Sequence, residues 1–460
     1  MQKTDILGKL QGIVGDRNVS TSSAELYCYS CDASQIRGMP DYVIRPENTE
    51  QVSKVVKVAY DHEIPVTARG AATGLAGGAV PVEGGIVLDM SSMDKIEELD
   101  LDNLQVVVES GVVQAKLNAV LEPYGFFFPP DPGSSAMCTI GGLIGNNGSG
   151  MRSVKYGTTR SYVLGLEVVM ADGTIINTGS KVMKSVSGYS LTDLYVGSEG
   201  TLGVITKAIL KVIALPKERS VLLASFETPE LAGQAVVKTL ASGIVPSACE
   251  ILDRNIIEAI NTYDPSIGIP EAGAILLFEV DGTENAVIEG IGMVSEVCRS
   301  LATSVKTASD KAERDEIWAA RKMVGAAISR LDPMRTRVYV GEDVGVPIKQ
   351  IPAMLHKVRE ISKEFDLPIM TYGHIGDGNL HTGMCIDVME DGDWEKLNKA
   401  ADKIHHEALG LEGTVTAEHG VGGARADFMA LEVGNALDLM VAIKKALDPK
   451  GIMNPGKMGL

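Results

Sequence analysis

Apolar residues recur along this chain with two periods, and the change from one to the other marks its elements. Residues 42–46 read as a short strand. Thr49–His62 then carries Val52, Val55, Val56 and Ala59 on one helical stripe, with Glu50 in its first turn. Further β-prone runs fall at 65–68, 85–90 and 105–108, and 112–124 predicts a helix stopped by Gly125. Residues 126–156 break both periods, and their glycines, prolines and small polar residues predict a long ordered loop. Strands resume at 162–170, 174–177 and 202–212. Beyond Pro216, strands (220–226, 248–252, 274–280) alternate with amphipathic helices (230–242, 285–300), as in an antiparallel α+β module with its helices on one side. A charged helix at 310–327, a strand at 336–339 and helices at 351–365 and 393–409 follow, and a last helix ends at 447 before a Pro- and Gly-stopped tail.

Two apolar runs flank Gly376-Asp377-Gly378-Asn379. Asp-Gly between such runs is the signature of a hairpin with a two-residue type I′ turn. In that register, residues whose numbers sum to about 755 face each other, which pairs His374 with His381. Opposed imidazoles, with Cβ atoms about 5 Å apart, either pack on a half-buried sheet or chelate one divalent cation. The second segment, Thr414–Gly423, reads as a β-branched strand that ends in Glu418-His419 and breaks into glycines. Neighbouring residues in a strand face opposite ways, so Glu418 and His419 share a site only if the strand ends there, which Gly420 permits.

With 460 residues and 45% hydrophobic content, two or three domains with sizeable cores are expected. A formal charge of −18 argues against nucleic-acid binding and against docking on anionic membranes. It also means that a pocket for an anionic substrate must carry its own cations. The sequence has neither a transmembrane-length apolar run nor a secretory leader, so a cytoplasmic protein is expected. Six scattered cysteines agree with a reducing compartment, and Cys28-x-x-Cys31 lacks the second pair a zinc site needs. No cysteine run holds an iron–sulfur cluster, so electrons need another carrier.

Glycine-rich loops after strands are suited to phosphate binding through main-chain N–H groups. Neither the nicotinamide fingerprint G-x-G-x-x-G nor a P-loop is present at the required spacing. The loops Arg69-Gly70-Ala71-Ala72-Thr73-Gly74, Pro129-Pro130-Asp131-Pro132, Thr139-Ile140-Gly141-Gly142, Lys155-Tyr156-Gly157 and Gly197–Gly203 occur in an order and spacing that resembles the FAD-binding domain of the vanillyl-alcohol oxidase/p-cresol methylhydroxylase superfamily. Within it, Gly373–His381, Ala417-Glu418-His419-Gly420 and Asn454-Pro455-Gly456-Lys457 resemble the D-lactate/glycolate/D-2-hydroxyglutarate dehydrogenase group (the glycolate oxidase FAD subunit). The resemblance covers nearly the whole chain.

That resemblance implies an α+β fold: a two-subdomain FAD-binding domain over 1–215, a ferredoxin-like antiparallel cap with the metal site over 216–425, and a helical tail over 426–460 that returns to the flavin. It implies that Arg69, Gly70, Ala71, Ala72, Thr73 and Gly74 hold the FAD pyrophosphate. Pro130, Asp131, Ser134, Thr139, Ile140, Gly141, Gly142, Gly145, Asn146, Ser149, Gly150, Tyr156, Gly157, Gly203 and Ile205 would line the rest of the cofactor, and Asn454 would reach the flavin edge. Covalent relatives carry a histidine in the first loop, where this chain has Ala72-Thr73, so non-covalent FAD is expected.

The implied reaction is the oxidation of a small D-2-hydroxy acid, D-lactate first and glycolate second, with hydride passing to flavin N5. His374, His381 and Glu418 would bind a divalent cation (zinc, iron or manganese) that polarises the substrate hydroxyl. His419 would be the general base and Arg321 the carboxylate anchor. Arg321 could instead form a surface ion pair with Glu313 or Asp315. Competing readings are D-2-hydroxyglutarate oxidation, a metal-dependent hydrolase, which would be colourless, and a non-catalytic FAD-binding electron-transfer subunit. The expected electron acceptor is an electron-transferring flavoprotein or an iron–sulfur subunit.

Overall fold

The structure is a computed structural model that describes residues 3–332 and 334–460. The chain forms two compact units. One comprises the chain through Ser149, Thr158–Leu215 and Glu418–Leu460; the other comprises Gly150–Gly157 and Pro216–Ala417. This division departs from the expected 1–215, 216–425 and 426–460 in two places, and hydrogen bonds explain both. Residues 150–157 leave the glycine-rich loop because Arg152 pairs with Glu279 at 3.2 Å, while Lys155 and Tyr156 bond Asp281 of the second unit. Residues from 418 onward join the first unit because the amides of Val421 and Gly422 donate to the Glu199 carboxylate, and those of Gly423 and Ala424 to the Ala76 carbonyl.

The first unit contains two main sheets. In the smaller, Tyr42–Ile44, Ile86–Asp89 and Val66–Arg69 run parallel and Val19–Ser20 closes one edge antiparallel. The helix Thr49–His62 covers it with the predicted stripe of Val52, Val55, Val56 and Ala59, all fully buried. Asn48 caps that helix by accepting the Gln51 amide, which satisfies one of its orphan N–H groups. The larger sheet is antiparallel, in the order Ile96–Asp100, Gln105–Glu109, Val204–Lys211, Val163–Val169, Ile175–Gly179. The stretch read as pure loop contains a helix, Ile140–Asn146, capped by Thr139. Buried Ile140, Leu143 and Ile144 hold it despite Gly141 and Gly142. The tail completes this unit: Met453 bridges Val66 in parallel, with hydrogen bonds from Val66 to Ile452 and from Asn454 to Val66.

The second unit is built on one long antiparallel sheet, in the order Ser304–Thr307, Glu218–Phe226, Ala274–Gly282, Ala248–Asp253, Ile369–Gly373, Asn379–Ile386, Thr336–Val338, with Asp343–Gly345 also pairing to Asn379–Ile386. Helices cover both faces, not one. Leu222, Ala224 and Phe226 point into a core shared with the helices Pro229–Ala241, Glu284–Arg299, Ile351–Glu364 and Asp391–Gly410. Val221 and Leu223 point into a second core under Arg254–Tyr263 and Lys311–Arg330. The helix Arg254–Tyr263 was not expected, although Asp253 caps it and Ile256, Ile257 and Ile260 carry the helical period. The double cover explains why the central strand Ala248–Asp253 is buried at every position and shows no alternation.

Candidate functional site

The glycine loops and the histidine hairpin lie in different units, and each has its own geometry.

In the first unit, Arg69 ends its strand with Nη1 on the Cys31 carbonyl at 2.6 Å and its guanidinium 5.1 Å from the Tyr29 ring centroid. Burial lowers its pKa from the usual arginine value. The loop 70–74 then leaves the sheet, with Ala72 in the left-handed region at φ 52°. A Cβ on Gly70 would stand 2.1 Å from Thr139 Oγ1, so only glycine allows the two loops to meet. Ile140 and Gly141 donate their amides to Val112 and Ser110, and so lock the second loop onto the strand end. Asn454 staples the third: its Oδ1 accepts from Thr67 at 3.3 Å, and its Nδ2 donates to Gly78 at 2.9 Å and Glu199 at 2.7 Å. Its two Nδ2 protons are thereby used and its Oδ1 keeps one acceptor position.

Two of the expected cofactor residues have other partners. Asn146 Nδ2 donates to the Glu418 carbonyl at 2.8 Å, and Ser149 Oγ to the Glu418 carboxylate at 3.4 Å. Gly150, Tyr156 and Gly157 belong to the second unit, where the Tyr156 hydroxyl donates to Asp281 at 2.8 Å. Glu199, unnoticed in the sequence beyond its loop, is a buried carboxylate. Burial raises its pKa, while the Val421 and Gly422 amides and nearby Arg425 and Lys457 oppose the rise. It fixes the turn that carries Glu418 and His419. The strand expected at 414–419 does not form: apart from a single bridge from Thr414 to Gly345 the segment is irregular, so the alternation of strand faces does not apply to Glu418 and His419.

FAD fits this unit. Among the described residues, the buried atoms Ser198 Oγ, Asp32 Oδ2, and Arg425 Nε and Nη2 have no hydrogen-bond partner within the chain. Buried polar atoms of that kind call for a polar ligand.

In the second unit the hairpin departs from its predicted register. Ile369 faces Met384 and Tyr372 faces His381, so paired numbers sum two lower than expected. The turn is a 3-10 helix, Ile375–Asp377, with Gly378 at φ 86°, instead of a two-residue type I′ turn. A side chain on Gly378 would meet the Val346 carbonyl at 2.1 Å. His374 thus stands at the mouth of the turn, not opposite His381. The two rings still meet edge to face, centroids 5.4 Å apart, with a ring nitrogen of each within 4.8 Å of the other. Both are buried.

Three acids surround the pair. Glu250, fully buried on the central strand, takes His374 Nδ1 at 2.6 Å on Oε1 and Arg321 Nε at 2.5 Å on Oε2. Burial would push its carboxyl up, but the charges and hydrogen bonds of His374 and Arg321 hold it below the usual range. A buried carboxylate stripped of such partners costs about 3–5 kcal/mol. The partner of Arg321 is thus Glu250, in place of the surface alternatives Glu313 and Asp315. Asp343 Oδ1 stands 3.9 Å from His381 Nδ1, and its Oδ2 accepts Thr416 Oγ1 at 2.7 Å and the Ala417 amide at 2.9 Å. Glu418 is the next residue in the chain. Glu342 bonds Arg337 and the Tyr372 hydroxyl behind the His381 ring, and burial raises the Tyr372 pKa well above its ordinary value. Sequence reading missed Glu250, Glu342 and Asp343. For Glu250 the available signal was an acid inside a run that is otherwise apolar on both sides.

A divalent cation fits this donor set: two buried imidazoles within reach of one ion, one of them already oriented by a carboxylate.

The chain matches two protein families, the FAD binding domain over residues 40–179 and the C-terminal domain of FAD linked oxidases over 215–458. The glycolate oxidase subunit GlcD of Bacillus subtilis is 40% identical, over 99% of this chain and 96% of its own length. A D-lactate dehydrogenase of Anaerostipes hadrus is 36% identical, over 92% of this chain and 90% of its own. Among solved structures, 4-ethylphenol oxidase from Gulosibacter chungangensis superposes with a TM-score of 0.81 at 19% identity, over 99% of this chain and 96% of that one. p-Cresol methylhydroxylase gives 0.78 at 18%, with the same coverage. At such identities the likeness establishes the fold, which is of the p-cresol methylhydroxylase type.

Proposed function

This chain belongs to the FAD-linked oxidases, and from that premise we propose that it is a metal-assisted dehydrogenase of small D-2-hydroxy acids, D-lactate before glycolate. At the coarser level it is an FAD-dependent oxidoreductase of the glycolate oxidase and D-lactate dehydrogenase type. The observation that carries the finer reading is the buried constellation of the second unit, where Glu250 joins His374 to Arg321 and His381 stands against His374.

In this reading FAD, bound without a covalent link, supplies the two-electron acceptor, and a cation supplies Lewis acidity at the substrate hydroxyl. His374, His381 and Glu418 hold the cation. Arg321 binds the carboxylate of the acid and so supplies the local positive charge that a chain of formal charge −18 needs. His419 accepts the hydroxyl proton on a ring nitrogen. His374, His381, Tyr372 and Glu250 are buried, which strengthens the contacts made by that part of the set.

Anaerobic mixing with D-lactate tests this. The reading expects the flavin band to bleach in the wild type and to persist after His419→Ala; wild-type bleaching in that variant would remove His419 from its role. Acid precipitation should leave the yellow chromophore in the supernatant. The name of the GlcD relatives, a subunit of glycolate oxidase, supports a redox partner. We place the onward step with an electron-transferring flavoprotein or an iron–sulfur subunit, in the cytoplasm, where six free cysteines are at home. No helix among the described residues is long and apolar enough to cross a membrane.

A further inference from the structure

We propose that Glu250 is a positioning residue that aligns the metal ligand His374 and the substrate anchor Arg321 through its two carboxylate oxygens. The proposal rests on the metal-assisted reading above and adds to it a residue and a coupling.

Glu250 sits on the central strand Ala248–Asp253, flanked by Ala274–Gly282 and Ile369–Gly373, with its side chain fully buried. The position is unusual for an acid. Its neighbours Cys249, Ile251 and Leu252 all belong to the hydrophobic cores of the two faces. A carboxylate there persists only where both oxygens are matched, and they are, by one donor each from two different elements.

Each bond fixes what the other end of its partner can do. An imidazole that gives its Nδ1 proton to a carboxylate is held as one tautomer, with the Nε2 lone pair directed away from that acid and available to a cation. A guanidinium bonded through Nε keeps its Nη1–Nη2 edge for a second, end-on carboxylate, the group every 2-hydroxy acid carries. One rigid strand residue thereby sets the relative placement of the ion that would hold the hydroxyl oxygen and the cation that would hold the carboxylate. In an α-hydroxy acid those groups are on adjacent carbons, so their anchors must be set together. Beside His381, Asp343 takes the Thr416 hydroxyl and the Ala417 amide.

Glu250→Gln keeps the shape but replaces one acceptor by an NH2 group that must face a donor. In the FAD-loaded full chain, titration of the metal-stripped protein with zinc, and in parallel with manganese, should show binding weakened about 10–100-fold relative to wild type. KM for D-lactate should rise by about 10-fold or more while the flavin spectrum stays unchanged. Should the single variant fail to fold, Glu250→Gln/Arg321→Met leaves no uncompensated charge and should show the same loss of metal affinity. Wild-type metal affinity in either folded variant overturns the coupling. Wild-type protein that binds neither metal overturns the metal-assisted reading itself, so the two failures are told apart.

Discussion

The two units solve the problem of presenting polar groups in opposite ways. The first presents loops: Arg69–Gly74, the Thr139 turn and the Glu199 turn are irregular, rich in positive φ, and pinned by backbone amides and by Asn454. The second presents side chains from strands: Glu250, Tyr372 and His381 project from adjacent strands whose register fixes their spacing. A loop cradle suits a large cofactor recognised through many weak main-chain contacts, while a sheet suits a few groups that must be held to fractions of an ångström. The difference teaches where each kind of damage should appear.

The sharpest break of that contrast is the double substitution His374→Ala/His381→Ala. It should abolish metal binding and lower flavin reduction by D-lactate about 10³-fold or more, on the scale of metal-ion catalysis, while FAD stays bound at full stoichiometry. Loss of flavin together with metal would show that the units do not divide the work in this way. Asn454→Ala should do the reverse. Removing three hydrogen bonds between loops, at about 1 kcal/mol each, should lower the stability of the flavin-loaded protein by about 2–4 kcal/mol and raise the FAD dissociation constant, read by flavin fluorescence on dilution.

The smallest effect concerns the helix that carries Arg321. Asp310 caps it by accepting the Glu313 amide, and Glu313 returns a bond to the Ser309 amide. The Lys306 ammonium, with the Ser309 bonds, holds the Glu313 carboxyl down to about 2. Its folded value lies below the ordinary 4.5, so the unfolded chain binds the extra proton in that window. The contribution is complete above pH 4.5 and lost as pH falls towards 2. Glu313→Gln should lower stability slightly at pH 7, where the contribution is complete, and flatten the acid limb of the stability curve between pH 4.5 and 2, as followed by urea denaturation at fixed pH values.

Much of this was legible in the residues. The Thr49–His62 helix, the strands after Pro216 and the motif loops follow from periodicity and turn chemistry, and the glycine spacing carried the family. What escaped had physical causes. The register of the histidine hairpin depends on a three-residue 3-10 turn, which Asp-Gly alone does not distinguish from a type I′ turn. The helix over Ile140–Asn146 was hidden because its stability comes from burial of Ile140, Leu143 and Ile144 against intrinsic propensity. Glu250 could not be assigned a role because its partners lie 71 and 124 residues away, and no local pattern encodes a contact of that span.

The way the tail is used constrains how this protein is made. Ile452 and Met453 complete a sheet whose other strands are all laid down before Asp89, and Asn454 ties turns at Gly78 and Glu199. A nascent chain cannot finish its first-synthesised unit until residues 452–454 have left the ribosome. Chains truncated before Ile452 should therefore bind FAD more weakly than chains that retain residues 452–454, as read by flavin fluorescence.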